Sequence, residues 1–286
     1  MLAFERHGSG EPLVLVHGLT HRRQAWYPVL DQLAERREVI LVDLPGHGQS
    51  PPFCPGARPV TDVLSELFRE FLADQGLVRP NVAGYSLGGR VALEAGARGD
   101  ARSVVAFSPA GFWRTDAEFA YTRRIFTSAA ALVERLGPRA EWLARSRAGR
   151  KLVYGILMAH PGRVDADHAL GDIRGFAYAR PSLSLLLDAA TPFTGDIAPE
   201  IPVTIGWAAR DLVLPPWQAE IARRAVPQAE HLTMRGVGHV PMWDAPDYVA
   251  RIILRGTEPA ATVAPLQVVG SSSRSSSRRR AAAASA

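Results

Sequence analysis

The sequence predicts an α/β fold, in which a doubly wound and mostly parallel sheet carries an inserted block of helices. The first observation is a series of short apolar runs, near residues 13–16, 39–42, 80–83, 103–107, 203–207 and 231–234. Runs without polar alternation are typical of parallel strands that helices cover on both faces. The second observation is that amphipathic stretches separate most of these runs, as the connections of a parallel sheet require.

Helical patterns follow the strands in order along the chain. Between the second and third runs, one apolar stripe at helical spacing predicts a helix: Val63, Leu64, Leu67, Phe68, Phe71 and Leu72. After residues 103–107 the pattern changes, because residues 112–195 contain no convincing strand and several helical stretches. Thr115 and Glu118 form a capping box ahead of the first stretch. We expect the prolines at positions 138, 161 and 181 to interrupt the remainder.

These patterns divide the chain into three parts. Residues 1–111 and 196–257 form the predicted α/β core, and residues 112–195 form the helical insertion. Residues 258–286 are rich in Ser, Arg and Ala. Such a segment cannot bury enough apolar surface to order itself, so we predict a disordered tail.

Length and composition exclude several classes of protein. With 286 residues, of which 47% are hydrophobic, the chain can bury a large core. No apolar stretch approaches the ~18 residues that a membrane span requires, and we expect no signal peptide. The chain has one cysteine, Cys54, which we interpret as an incidental loop thiol. A chain without a disulfide framework is typical of a reducing compartment, so the predicted location is cytoplasmic.

The net charge of +5 could indicate a nucleic-acid partner. However, residues 270–286 carry four arginines and no acid, and the rest of the chain has 29 basic against 28 acidic residues. We therefore expect neither nucleic acid nor a membrane as partner. The predicted insertion has twelve basic and eight acidic residues, which either favours carboxylate substrates or reflects solvated helix faces.

Residues 84–88, Gly-Tyr-Ser-Leu-Gly, lie where a predicted strand turns sharply into a predicted helix. A serine in so tight a turn adopts a strained backbone conformation, and the positions two residues away on either side must lack bulk. Gly84 and Gly88 meet that requirement. The turn would hold the Ser86 hydroxyl out into a cleft at the N-terminus of a helix, whose dipole favours developing negative charge.

Two further polar residues follow predicted strands later in the chain. Asp211 lies in the loop after residues 203–207, and His239 lies after residues 231–234, in the sequence Gly-Val-Gly-His. Serine, acid and histidine therefore occur in the chain order of one known catalytic triad, which differs from the orders of chymotrypsin and subtilisin.

Together these motifs resemble the α/β-hydrolase superfamily. The matching segments are His17–Gly18, residues 43–50, residues 84–89, Asp211 and Gly238–His239, which span about 220 residues. The resemblance implies that Ser86 is the nucleophile, His239 the base and Asp211 the acid that orients it. It also implies that the backbone N–H groups of Leu19 and Leu87 stabilise the oxyanion, and that the helical insertion is a cap over the site.

For the substrate site we predict Gly18 and Val240 beside the triad, and Phe112 and Trp113 at the entry to the cap. His17 and His47 lie in turns and are interpreted as architectural, whereas His21 is interpreted as a surface residue or as one that reaches the mouth of the cleft. The chain has neither the spacing of a metal site nor a complete dinucleotide fingerprint, so we expect no metal and no cofactor.

A serine nucleophile excludes the epoxide hydrolases and haloalkane dehalogenases of this fold, which require a carboxylate at that position. The leading hypothesis is hydrolysis of a small or medium carboxylic ester through an acyl-serine intermediate. The substrate would be a small, apolar or weakly anionic carbonyl compound. A C–C bond hydrolase and a cofactor-free perhydrolase share the same triad and remain open. From a different class, a ligand-binding protein on a hydrolase scaffold also remains open.

Overall fold

A computed structural model of the protein describes residues 1–258. Its seven strands form one sheet in the order β1-β3-β2-β4-β5-β6-β7. The strands are β1 (Phe4–Gly8), β2 (Pro12–Val16), β3 (Glu38–Val42), β4 (Asn81–Tyr85), β5 (Ser103–Phe107), β6 (Val203–Ala208) and β7 (Glu230–Met234). All neighbouring strands are parallel except β1, which pairs antiparallel with β3. The predicted fold class is confirmed.

Ten α-helices occur within the described residues. They are α1 (Tyr27–Ala34), α2 (Val60–Asp74), α3 (Leu87–Ala97), α4 (Asp116–Leu136), α5 (Pro138–Arg145), α6 (Arg147–Tyr154), α7 (Ala166–Asp188), α8 (Gln218–Ala225), α9 (Pro241–Asp244) and α10 (Pro246–Gly256). We call α4–α7 the inserted helices, because they lie in the chain between β5 and β6. None of the described helices is long and apolar enough to cross a membrane.

Both faces of the sheet are buried, and alternate side chains of each strand enter different clusters. On β2, Val14 and Val16 belong to the cluster on one face, whereas Leu13 and Leu15 belong to the cluster on the other. All four are fully buried. This two-sided burial explains why the strands are continuous apolar runs in the sequence.

The strand order reverses direction at β2, which lies between β3 and β4. In open α/β sheets, ligands bind beyond the carboxyl ends of the strands at such a reversal. Gly18 follows β2 and Ser86 follows β4, and the two strands are in register from Leu13 opposite Asn81 to Val16 opposite Gly84. The topology therefore brings these two predicted site residues to the same edge.

Three local features differ from the expectation. The sequence predicts no strand at residues 4–8, yet β1 forms an edge strand with charged and half-exposed side chains. At the start of α4, Thr115 accepts the predicted bond from Glu118 N, but the Glu118 carboxylate accepts from Arg114 N. Pro181 lies inside α7 and does not end it.

The loop after β3 is held in shape by one buried carboxylate. Asp43 accepts hydrogen bonds from the backbone N–H of Arg23 at 2.6 Å and of Gln49 at 2.9 Å, and it also binds the Arg23 guanidinium. The Ser50 hydroxyl donates to the Asp43 carbonyl at 2.6 Å. The predicted tail, residues 258–286, lies outside the described residues except for Glu258, which pairs with Arg36 at 3.2 Å.

Candidate active site

Ser86 occupies the turn between β4 and α3 in a strained conformation, with φ 55° and ψ −119°. A non-glycine residue at positive φ costs on the order of 1–3 kcal/mol, so the surrounding structure must hold it there. The Ser86 N–H donates to Phe107 O at 2.9 Å, and Ser86 O accepts from Arg90 N and Ala110 N, each at 3.0 Å. Both backbone groups of the serine are thus fixed by neighbouring elements.

The two glycines that flank this serine are required by backbone contacts. A Cβ on Gly84 would collide with the carbonyl of Gly88, and one on Gly88 would collide with the carbonyls of Val16 and His17. Because these obstacles are backbone atoms, no side-chain movement can relieve them. The close approach explains why residues 84–88 have glycine at both ends.

His239 and Asp211 form a buried pair, with His239 Nδ1 2.7 Å from Asp211 Oδ2. The other carboxylate oxygen accepts from the N–H groups of Val213 at 2.9 Å and Leu214 at 2.8 Å, which fixes the acid. Donation from Nδ1 to the carboxylate leaves Nε2 as the acceptor of a neutral imidazole. Nε2 has no hydrogen-bond partner among residues 1–258, and His239 lines the same cavity as Ser86.

Two backbone N–H groups beside Ser86 are available as donors. Those of Leu19 and Leu87 have no acceptor within the described part of the chain. Leu87 is the first residue of α3, where N–H groups have no partner inside the helix. The backbone before Leu19 lies directly against the serine, since a Cβ on Gly18 would come within 3.2 Å of Ser86 Cβ. This close approach accounts for glycine at position 18.

The cavity in front of Ser86 has a volume of about 570 Å³ and a mostly apolar wall. Its floor comes from the loop after β2 and from Tyr85 and Ser86, and the inserted helices supply most of the remainder. Apolar residues of that wall include Ile125, Leu132, Val133, Leu136, Leu152, Val153, Ile156, Leu157, Ile173 and Phe176. Leu132 and Leu152 are exposed as well, which places the mouth of the cavity between α4 and α6.

The sequence profile of the alpha/beta hydrolase family matches residues 13–252, which include every element of this site. The chain belongs to the alpha/beta hydrolase family. An uncharacterized protein of Mycobacterium tuberculosis is 29% identical over 280 residues, which cover 90% of this chain and 79% of the relative. Lipase 3 of a Moraxella species is 25% identical over 251 residues, or 83% of this chain and 74% of the lipase.

Solved structures agree on the fold of this hydrolase. An esterase from Thermogutta terrifontis superposes with a TM-score of 0.65 at 24% identity, and the match covers 88% of this chain and 91% of the esterase. At that identity the similarity shows the fold alone. The family assignment and the fold together make the protein a hydrolase.

The structure does not place Phe112, Trp113 or Val240 on the cavity wall, which corrects the prediction for these three residues. Phe112 is buried in the core of the hydrolase, with its ring 5.8 Å from that of Phe193 and 6.1 Å from that of Trp207. Trp113 packs on Phe119 at 4.9 Å. Val240 is fully buried in the same apolar cluster as Tyr154 and Ile173, but it does not itself line the cavity. These three residues are near the insertion or the predicted triad in the sequence, but their side chains do not line the cavity.

His17 and His47 support the loops around the site. His17 Nε2 accepts from Leu44 N at 3.0 Å while its Nδ1 contacts Gly18 O at 2.7 Å, and His47 Nδ1 lies 3.0 Å from Pro45 O. Burial lowers the pKa of His17 well below its usual range and lowers that of His47 to about 4. Within residues 1–258 there is no group of three His, Cys, Asp or Glu side chains that could hold a metal ion.

Sequence reasoning missed a polar cluster on the cavity wall, centred on Asp172 of α7. The carboxylate accepts from the Tyr154 hydroxyl at 3.0 Å and from Arg22 Nε at 3.3 Å, and it lies 3.2 Å from His168 Nε2. Burial alone would raise the pKa of Asp172, but the charge and hydrogen bond of His168, with His21 and Arg22, lower it to about 2. The spacing of His168 and Asp172, four residues apart on a helix, was the signal available in the sequence.

The loop that carries His239 is fixed to the inserted segment by Asp244. Its buried carboxylate accepts from the N–H groups of Gly238 and Ala159, each at 2.8 Å, and of His160 at 2.6 Å. Val240 N also donates to Leu157 O at 2.9 Å. The chain between α6 and α7 is therefore hydrogen-bonded to the histidine loop on both sides of His239.

Proposed function

We propose that this hydrolase cleaves small or medium carboxylic esters through an acyl-serine intermediate. The observation that carries the proposal is the buried Asp211–His239 pair, whose free Nε2 lies on the same cavity as the strained Ser86. A serine, a histidine and an acid in these relations form the standard unit for acyl transfer.

In the proposed acylation, Ser86 Oγ attacks the ester carbonyl while His239 Nε2 accepts the hydroxyl proton. Asp211 holds the imidazole in the required tautomer and stabilises the imidazolium. The negative charge on the carbonyl oxygen is stabilised by the N–H groups of Leu19 and Leu87, and loss of one such donor typically costs ~3–4 kcal/mol. Collapse of the tetrahedral intermediate breaks the C–O bond, and His239 returns its proton to the departing alcohol.

Deacylation repeats these steps with water. His239 removes a proton from a water molecule, whose oxygen attacks the acyl carbonyl, and the carboxylic acid leaves as the Ser86 hydroxyl regains its proton. No further reactant is needed.

The apolar wall supports an apolar acyl or alcohol group as substrate, because burial of such a group in the cavity is favourable. A buried carboxylate, that of Asp172, also lies on the wall. Its charge favours apolar over anionic substrates, and this weighs against a role of the basic insertion in binding carboxylates.

A series of p-nitrophenyl esters from acetate to dodecanoate tests the proposal, together with a fluorophosphonate that labels active serines. We expect turnover with a maximum at a small or medium chain length, and one phosphonate adduct that peptide mass spectrometry assigns to Ser86. Labelling of Ser86 without turnover of any ester would indicate a different carbonyl substrate. If the protein shows neither labelling by the phosphonate nor turnover of any ester, that result would support the ligand-binding alternative.

A further inference from the structure

One part of the cavity wall is polar, although the remainder is apolar. His21, Tyr85 and Asp172 line the cavity together with Ser86, and all three are more than nine-tenths buried. Polar groups in such an environment are normally hydrogen-bonded, because an unpaired one loses its hydration without compensation. Asp172 is hydrogen-bonded to Arg22 and Tyr154, whereas the Tyr85 hydroxyl has no hydrogen-bond partner within residues 1–258.

The ring of His21 makes no hydrogen bond within residues 1–258, unlike the rings of His17, His47 and His239. Its nitrogens are not among the fully enclosed polar atoms of this part of the chain, so they are accessible from the cavity. Its backbone N–H donates to Gly18 O at 3.2 Å, which holds the residue in the same tight turn as the proposed donor at Leu19. Thr20, between these two residues, adopts a positive φ of 66° and also lines the cavity. The imidazole of His21 lies beside the ring of Tyr85, with the two ring centroids 5.8 Å apart.

Tyr85 immediately precedes the nucleophile, and its hydroxyl is buried. The hydroxyl lies beside the backbone of Gly18 but outside hydrogen-bonding geometry, so it has no partner in the described chain. Burial raises the pKa of this phenol well above its usual range, so the group stays protonated and can donate. The phenol of Tyr85 and the neighbouring imidazole of His21 thus lie together on a cavity whose wall is mostly apolar.

The charge state of the imidazole decides what these groups can bind. Burial lowers the pKa of His21 to about 4; the Asp172 charge opposes this, while His168, His239 and Arg22 lower it further. At neutral pH the ring therefore carries one donor and one acceptor, and the phenol carries one of each. A carboxylate on the substrate would meet the Asp172 charge, and an ammonium group would lie near the Arg22 guanidinium. A hydroxyl, which both donates and accepts, matches two neutral groups of this kind.

We propose that His21 and Tyr85 form a subsite that binds a hydroxyl group of the substrate close to its scissile ester bond. The inference rests on the proposed ester hydrolysis and narrows its substrate class to hydroxylated esters. The hydroxyl can belong to the acid half, as in a 2-hydroxyacyl ester, or to the alcohol half, as in an ester of a glycol or glycerol.

Two matched pairs of esters distinguish these sources. Ethyl butanoate against 2-hydroxyethyl butanoate tests the alcohol half, and ethyl hexanoate against ethyl 2-hydroxyhexanoate tests the acid half. Each kcat/KM is divided by the rate of alkaline hydrolysis of the same ester, which removes differences in chemical reactivity. We expect one pair to show a preference of ~10-fold for the hydroxylated member, the ratio that one well-made neutral hydrogen bond gives.

Variants of His21 assign that preference to the subsite. His21→Leu removes both ring nitrogens at similar volume and should reduce the preference to less than ~3-fold, mainly through KM of the hydroxylated ester. His21→Gln keeps one donor and one acceptor and should restore part of it. The matched control is His7→Leu, at a half-exposed position on β1 away from the cavity, which should keep the wild-type ratio.

The rate of fluorophosphonate labelling shows whether each variant retains a folded site, since this reagent has no hydroxyl to bind. The proposal is overturned if wild-type protein shows no preference in either pair. It is also overturned if a His21→Leu protein is labelled at the normal rate but its kcat/KM falls by the same factor for both esters of a pair. If no ester in either pair is hydrolysed at all, the proposed ester hydrolysis itself fails, and the hydroxyl subsite with it.

Discussion

Helix α3 and helix α4 each border the candidate active site, but α3 is mostly buried and α4 is mostly not. Eight of the eleven residues of α3 are buried, whereas only Thr122 and Phe126 of the 21 residues of α4 are buried. α3 packs against β4 and β5 at the centre of the sheet, while α4 has solvent on one side and the cavity on the other. The difference suits the proposed division of roles, in which the core fixes the proposed reacting groups and the inserted helices shape the space for the substrate.

The largest effect should come from the core, through Ser86. Ser86→Ala removes the nucleophile and should lower kcat for p-nitrophenyl butanoate by at least ~10³-fold, with a melting temperature within about a degree or two of wild type. His239→Ala should lower kcat by a similar factor. In the double variant kcat should be no lower than in the less active of the two single variants. Ser184→Ala, an exposed serine on α7, is the matched control and should keep wild-type kcat. Residual turnover of more than a few per cent in Ser86→Ala would refute the triad.

Acid should destabilise the core loops through their buried histidines. The pKa values of His17, His21 and His47 are all lowered from the ordinary 6.5 by burial, so the folded protein binds these protons less readily than the unfolded chain. The unfolding free energy should therefore be unaffected by these groups above about pH 6.5 and fall below it, by about 1.4 kcal/mol per histidine for each pH unit.

Urea unfolding at pH 7.5, 6.0 and 5.0 measures this slope. His47→Gln removes one of these groups and should therefore make the slope shallower. A free energy that stays constant from pH 7.5 to 5.0 would contradict neutral burial of these side chains.

The same substitution should have opposite effects in the two regions. Gly88→Ala places a Cβ against the backbone of β2 and should destabilise the fold by ~1–3 kcal/mol, with loss of activity. Gly175→Ala, inside α7, meets only Arg22 Cδ at 3.6 Å and should stabilise by ~0.5–1 kcal/mol, because alanine favours the helix. Thermal unfolding of both variants measures these two changes in stability. A Gly88→Ala protein as stable as wild type would show that the turn at residues 84–88 has room for a Cβ at position 88.

The smallest effect should be a change of selectivity in the inserted helices. Val133→Trp fills part of the cavity from α4 and should lower kcat/KM for p-nitrophenyl octanoate by ~10-fold relative to acetate. Leu185→Trp, at a partly exposed site on α7 away from the cavity, is the control and should leave that ratio unchanged. An equal loss on both esters would mean that α4 affects the fold of the site and not the choice of substrate.

The core could be predicted because its signals are local. Buried parallel strands are continuous apolar runs, and the turn at residues 84–88 needs glycine at fixed positions. Edge strand β1 was missed because a half-exposed Phe-Glu-Arg-His-Gly segment has no apolar run. The prediction that Phe112 lines the cavity was wrong because an aromatic side chain packs equally well into a core or a cavity wall. Phe112 packs in the core because the rings of Phe193 and Trp207 lie beside it there.

The polar groups of the cavity were harder still to predict. His21 and Asp172 are 151 positions apart in the sequence, and each alone resembles a surface residue of a loop or helix. Their meeting depends on how α7 lies over the loop after β2, and Arg22 joins the two elements through Asp172. Long-range contacts of this kind leave no periodic pattern in the chain.

The two loops that carry the acid and the histidine are each attached to a different side of the cavity. Tyr121 and Thr122 of α4 donate to the carbonyls of Leu212 and Val213, next to Asp211, at 2.7 and 3.1 Å. On the other side, Asp244 joins the histidine loop to Ala159 and His160. For protein engineering, this attachment separates two classes of mutation. We expect changes near Tyr121 or Ala159 to alter turnover and selectivity together, and changes in the last turns of α4 to alter selectivity alone.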